Sequence, residues 1–182
     1  MIELLKGEKV YLKLIEEKDM QQRAEWINDV GIQATLNYDI PTSVDKTKAW
    51  FHKIVLDNSR REFSIFTIDG DKYIGFCGIF NIQVPVMKGE LHCVIGNKDY
   101  QHGGYGTDAY RILTNYGFRE LGLNRIYGYQ LTHNIAAHRV VEKLGWKREG
   151  ILRQDVFSHG ECHDVYVVGI LREDWKNSNV YQ

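Results

Sequence analysis

Three closely spaced glycines at the mouth of a helix are the most chemically suggestive spacing in this chain. Gln101-His102-Gly103-Gly104-Tyr105-Gly106 follows an apolar strand pattern and a short polar connection, and a helical pattern begins at Thr107. Glycine lets backbone N–H groups face outward with no Cβ in front of them. The first turn of a helix adds N–H donors without helical partners and the positive end of the macrodipole. Together these make a seat for phosphate oxygens. No Lys-Ser or Lys-Thr follows Gly106, so the lysine and hydroxyl of a nucleoside-triphosphate loop are missing. The anion expected is a pyrophosphate, held mainly by the backbone of residues 102–107. Upstream, Glu90 and His92 stand two residues apart in the preceding strand pattern, so their side chains leave the same face. A carboxylate or an imidazole at such a place can take a proton from a nucleophile.

These residues need a scaffold, and the rest of the chain spells one out. Val10–Leu14 alternates as a strand, Asp19 is placed to cap a helix running to about Asn28, and residues 31–41 read as a loop. Thr42 or Ser43 opens a second helix through about Leu56, in which Trp50, Phe51 and Ile54 sit at core spacing. Strands follow at 63–68, 73–83 and 90–95, the first two joined by Asp69-Gly70-Asp71. A helix over 107–121 ends at Gly122, a strand covers 125–131, a helix covers 135–144, and 146–157 with 163–171 form a closing hairpin. The order β-α-α-β-β-β-α-β-α-β-β is a mixed α/β layer fold with antiparallel strands first.

Composition narrows the class. A chain of 182 residues with 43% hydrophobic and 26% charged residues suits one soluble domain over residues 1–182. A formal net charge of −1 gives no basic footprint for nucleic acid. No apolar run is long enough for a bilayer, and the N-terminus lacks a signal-peptide pattern, so a cytoplasmic protein is expected. Three widely spaced cysteines, Cys77, Cys93 and Cys162, suit a reducing compartment. His159-Gly160-Glu161-Cys162-His163 lacks a second ligand pair and reads as a turn, so no metal is expected. Gly104-x-Gly106-x-x-Ala109 also fits a dinucleotide fingerprint. That motif needs its first glycine directly after a strand, whereas eight residues separate Ile95 from Gly104.

The element order and three fragments resemble the GCN5-related N-acetyltransferase (GNAT) family over essentially the whole chain. Gln101-x-x-Gly104-x-Gly106 is similar to that family's coenzyme A loop, Arg/Gln-x-x-Gly-x-Gly/Ala. Asn134-x-x-Ala137-x-x-Val140-Val141-Glu142-Lys143-Leu144-Gly145-Trp146 resembles its Asn…Glu-Lys-Leu-Gly-Phe stretch. Glu149-Gly150-x-Leu152-Arg153 with Gly160-x-x-His163-Asp164-Val165 is similar to the branch containing ribosomal-protein N-terminal and spermidine acetyltransferases.

The resemblance implies an α+β fold with a mostly antiparallel sheet of about seven strands flanked by about four helices. It implies acetyl-CoA as co-substrate, lying where the fourth and fifth strands splay. Backbone near Val94, Ile95 and Gly96 would pair with its pantetheine arm, and Gln101, His102, Gly103, Gly104, Tyr105, Gly106 and Thr107 would hold its pyrophosphate. Asn134 would meet the thioester end. Glu90 and His92 are the candidate bases for an amine acceptor, and Asn37, Tyr38, Asp39 and Asp164 the candidate acceptor contacts.

A lysine-type amine is neutral in only about one molecule in a few thousand at pH 7, which is why a base is needed. Acetyl would pass directly to a primary amine, on a protein N-terminus, a polyamine or an amino sugar, since no cysteine or serine sits in a nucleophile motif. Two family positions differ: Val141 stands where many relatives place a tyrosine acid, and Ala137 where the ribosomal-protein branch often has serine. His138, Tyr127 and Tyr129 are the alternative acids. The competing reading is an acetyl-CoA-binding module without turnover. Exposed sheet edges in this fold make a homodimer compatible with the chain.

Overall fold

Alternating apolar residues build the centre of the molecule. The structure, a computed structural model, describes residues 5–36 and 40–176. The strands are β1 (Val10–Leu14), β2 (Arg61–Thr67), β3 (Tyr73–Gln83), β4 (Lys88–Ile95), β5 (Arg125–Leu131), β6 (Lys147–Ser158) and β7 (Glu161–Leu171). They form one seven-stranded sheet in the order β1-β2-β3-β4-β5-β7-β6. Every neighbouring pair is antiparallel except β4 and β5, which run parallel. The β2–β3 turn places Gly70 at φ 84° and Asp71 at φ 51°, the pair of positive φ angles that matches a tight hairpin to strand twist.

The helices are α1 (Met20–Ile27), α2 (Val30–Gln33), α3 (Val44–Ile54), α4 (Tyr105–Arg119), α5 (Ile135–Lys143) and α6 (Arg172–Lys176). α4 supplies the parallel crossover and packs Ile112, Leu113 and Phe118 onto Ile79, Leu91 and Ile126 of the sheet. On the opposite face Trp26, Ile27 and Ile32 cover Phe76 and Val94. Asp108, buried in α4, accepts from the amides of Lys9 and Val10 at 2.8 and 3.0 Å, tying the first strand to the crossover helix. No helix among the described residues is long and apolar enough to cross a membrane.

The seven strands match the sequence expectation, and two short helices add to the four expected. α2 falls inside the segment read as a loop, started by Asp29, whose carboxylate accepts from Gly31 and Ile32. α6 follows the last strand. Asp19 does not cap α1 with its side chain: that carboxylate instead accepts from the Glu16 amide and from the Ser64 hydroxyl at 2.7 Å. Ser43 does cap α3, accepting from Lys46. The core expected of Trp50, Phe51 and Ile54 is not formed, because only Thr47 of α3 is buried. α3 packs mainly on α1 rather than on the sheet, which leaves its apolar residues half exposed.

Candidate active site

The parallel pair β4–β5 is the weakest seam of the sheet, and the site opens there. Register runs only through Lys88–Arg125, Gly89–Ile126 and Glu90–Tyr127. Beyond Glu90 the strands part. β4 stays paired with β3 up to Ile95, and β5 stays paired with β7 up to Leu131. The facing edges of Leu91–Ile95 and Gly128–Leu131 therefore offer backbone groups to an extended guest, as an added strand would use them.

A cleft of about 1430 Å³ runs through this gap. Among the cofactor residues expected from sequence, Val94, Ile95, Gln101, His102, Gly104, Gly106, Thr107 and Asn134 line it. Gly103, Tyr105 and Gly96 do not. Gly96 has a packing reason for its missing side chain, since a Cβ there would lie 2.0 Å from the Trp26 ring. Its amide is also occupied, donating to Ile74 O at 2.9 Å. The Gln101 amide side chain donates to Ile95 O at 3.0 Å, which pins the loop to the end of β4.

The glycine loop has the form that an anion seat requires. Gly104, at φ 85°, is the N-cap of α4, and His102 before it is at φ 62°. Among the described residues nothing accepts a hydrogen bond from the amides of His102, Gly103, Gly104, Tyr105, Gly106 or Thr107. Backbone donors without an acceptor among the described residues, at the positive end of a fifteen-residue helix, fit the diphosphate of a nucleotide. On α5, Arg139 and Lys143 line the same cleft four residues apart, with no ion pair among the described residues. Sequence reading missed both, although the i, i+4 spacing on an exposed helix face was visible.

On the other side of the gap lies a polar wall. Glu90 and His92 share one face of β4, as the alternation required, and both line the cleft. Asn81, at φ 49° in an irregular stretch of β3, donates its amide to Glu90 at 3.0 Å. Burial pushes the Glu90 carboxyl above its ordinary value, against the pull of Asn81, His92 and Tyr127. His92 Nε2 lies 3.0 Å from Glu62 Oε2. Burial also works to raise Glu62, but His92, Arg23 and Arg60 outweigh it and hold that carboxyl below the usual range. The Arg23 guanidinium lies between Trp50 and Phe76, at 4.3 and 3.8 Å from the ring centroids. Sequence reading missed Arg23, Arg60 and Glu62. A strand drawn from Phe63 leaves Glu62 outside, whereas β2 begins at Arg61.

The remaining candidates separate. Asn134 caps α5, accepting from the Ala137 amide at 3.1 Å, and its NH₂ donates to Thr35 O at 3.4 Å. Asp164 is not a cleft residue: its carboxylate accepts from the Gln154 amide and fixes an irregularity of the β6–β7 hairpin. Asn37, Tyr38 and Asp39 lie outside the described residues. His138 is buried against Tyr166 and bonded to Thr132 O, away from the cleft. Val141 is buried in the core. Of the two tyrosines on β5, Tyr129 lines the cleft and Tyr127 does not.

Comparison with known proteins now bears on this geometry. Residues 9–147 match the family model described as an acetyltransferase (GNAT) domain. The chain belongs to the GNAT family. It is 31% identical to the Bacillus subtilis protein called uncharacterized N-acetyltransferase YnaD, over 92% of this chain and 96% of that protein. It is 25% identical to the spermidine N(1)-acetyltransferase of Vibrio cholerae, over 91% and 95% of the two chains. The fold is shared with a crystal structure of spermidine N-acetyltransferase from Vibrio cholerae in complex with CoA and spermine. The TM-score there is 0.87 at 23% identity, covering 92% of this chain and 98% of that one. This GNAT protein is thus an N-acetyltransferase whose acetyl donor is acetyl-CoA.

Proposed function

We propose that this GNAT enzyme passes acetyl from acetyl-CoA directly to a primary amine bound against Glu90, His92, Trp50 and the Arg23 side of the cleft. The observation that carries the reading is the continuity of one cleft from the glycine loop at the mouth of α4, through the β4–β5 gap, to a carboxylate and an imidazole. The residues present fit the donor: the amides of 102–107 would hold its diphosphate, Arg139 and Lys143 would add positive charge, and the open strand edges would hold its arm. When bound, acetyl-CoA supplies an activated acyl carbon.

The protein's own share is orientation and proton removal. Glu90, kept on the less acidic side by burial, is read as the base that takes the proton of the acceptor's ammonium before it attacks, with His92 on the same face of β4. Oriented reactants gain large effective concentrations besides. Cys93 lines the cleft, but burial pushes its thiol up to about 12, so it is a poor thiolate nucleophile and a covalent acyl-enzyme is not part of the proposal. Tyr129 offers a cleft phenol as the acid for the departing sulfur.

Arg23 and Arg60 share the acceptor side with the carboxylates of Glu62, Glu90 and Asp155. That lining suits a primary amine as acceptor, on a small molecule or a peptide. The test is release of free thiol from acetyl-CoA with a panel of peptides, amino sugars and polyamines. Turnover with at least one class of primary amine is expected. Tight acetyl-CoA binding with no turnover on any amine would overturn the proposal and leave a binding module.

A further inference from the structure

The sheet ends on β6, and among the described residues no strand pairs with the outer edge of β6. Residues 147–155 of this strand are exposed without interruption. The opposite edge is better protected: β1 has five residues, and three of them are buried. A long open edge leaves backbone N–H and C=O groups ready to pair with another strand. At the middle of β6, Ile151 and Leu152 lie opposite Tyr166 and Val165 of β7, so their side chains leave opposite faces. They are 53% and 38% exposed, an apolar centre on a charged strand.

The charges around that centre match themselves. With two copies of β6 antiparallel and Ile151 opposite its own equivalent, Glu149 faces the partner's Arg153 and Lys147 faces the partner's Asp155. Centring the pair on Gly150 instead sets Lys147 against Arg153, and centring it on Leu152 sets Glu149 against Asp155. Like charges directly opposite destabilise a strand pair, so the charges select the register through Ile151. Glu149 already pairs with Arg125, and Lys147 with Asp174. Those contacts leave room, since a carboxylate accepts from two cations and an ammonium has three donors.

We propose that β6 is the seam of a two-fold dimer, in which the sheets of two copies join edge to edge about Ile151. A second copy suits this edge because a two-fold interface uses each surface twice, and the charge pattern is complementary to itself. The seam borders the cleft: Leu152, Asp155 and Val156 of β6 line it. The partner's Lys147 would thus stand beside the cleft, opposite Asp155. The dimer rests on the edge of β6 alone; only its place beside an acceptor site rests on the function proposed above.

Sedimentation equilibrium of the full chain should give twice the chain mass. Ile151→Lys sets two ammonium groups against each other on the axis, and should raise the dissociation constant by about 100-fold while leaving circular dichroism unchanged. A monomeric wild type, with the edge left for a foreign strand, overturns the proposal. So does a dimer whose dissociation constant Ile151→Lys does not move. Cross-linking reads the register, in a Cys162→Ser background that removes the exposed thiol. Oxidation should join two copies of Ile151→Cys through position 151. Gln154→Cys should not join, because its equivalent lies six residues away along the seam, roughly 20 Å. Linkage at 154 and not at 151 overturns the register. Neither readout needs turnover, so the dimer and the acetyl-transfer reading fail separately.

Discussion

Replacing Gly104 by alanine separates the anion seat from the rest of the fold. Gly104 holds φ 85°, and a Cβ there would meet only Lys9 Cε and Cδ, at 3.6 and 3.9 Å. The cost to the free protein is therefore backbone strain alone, about 1–2 kcal/mol for an L-residue in the left-handed region. For a chain of this size that lowers Tm by roughly 2–8 °C. The donor should notice more. Relief of the strain must rotate the amides that start α4, each worth about 0.3–1 kcal/mol to a bound anion. Losing two or three of them weakens CoA binding by roughly three- to 150-fold.

Gly160 is the matched control, with φ 84° and nothing within 4 Å of its Cβ, in a hairpin away from the cleft. Gly160→Ala should lose similar stability and keep CoA affinity. Calorimetric titration with CoA beside thermal melts of both variants reads the comparison. Equal CoA affinity in wild type and Gly104→Ala would refute the reasoning, whatever happened to Tm.

Further outcomes follow from the same geometry. Glu90→Gln should lower turnover at neutral pH with CoA affinity nearly intact; a pH–rate profile identical to wild type would remove Glu90 from the mechanism. Because burial raises the Glu90 pKa, any stability tied to that group is present below about 4.5 and is lost as pH rises through the folded value. Glu90→Gln should thus be at least as stable as wild type at pH 7 in urea titrations, with the difference closing in acid. Glu62 has the opposite sign: its folded pKa is lowered, so its stabilisation is present above about 4.5 and disappears as pH falls through the folded value. Glu62→Ala should cost about 3–5 kcal/mol at pH 7, because Arg23 and Arg60 are left without their buried counter-charge. Neutralising Arg139 and Lys143 together should weaken CoA binding roughly two- to thirty-fold and flatten its salt dependence, as exposed ion pairs of about 0.2–1 kcal/mol each would.

The parts of the site that rest on backbone were legible in the sequence. Gly104 and Gly106 are there for conformation and open space, and the strand–turn–helix pattern around them places the free amides with no knowledge of distant contacts. The shared face of Glu90 and His92 followed from strand alternation alone. The acceptor wall was not legible, because it is assembled across strands. Nothing local tells that Glu62 lies over Gly78 and reaches His92 from two strands away. The same holds for Arg23, whose place between Trp50 and Phe76 depends on how α1 and α3 meet. Asp164, a candidate acceptor contact in the sequence, accepts from the Gln154 amide across the hairpin. Short helices such as α2 carry too few turns for periodicity to show.

The most direct test of the central claim is a titration of nitrogen-15-labelled protein with CoA, following backbone amides. The account expects the resonances of residues 102–107 to move with CoA concentration while those around Gly160 stay in place. CoA that binds while leaving the 102–107 amides untouched would contradict it.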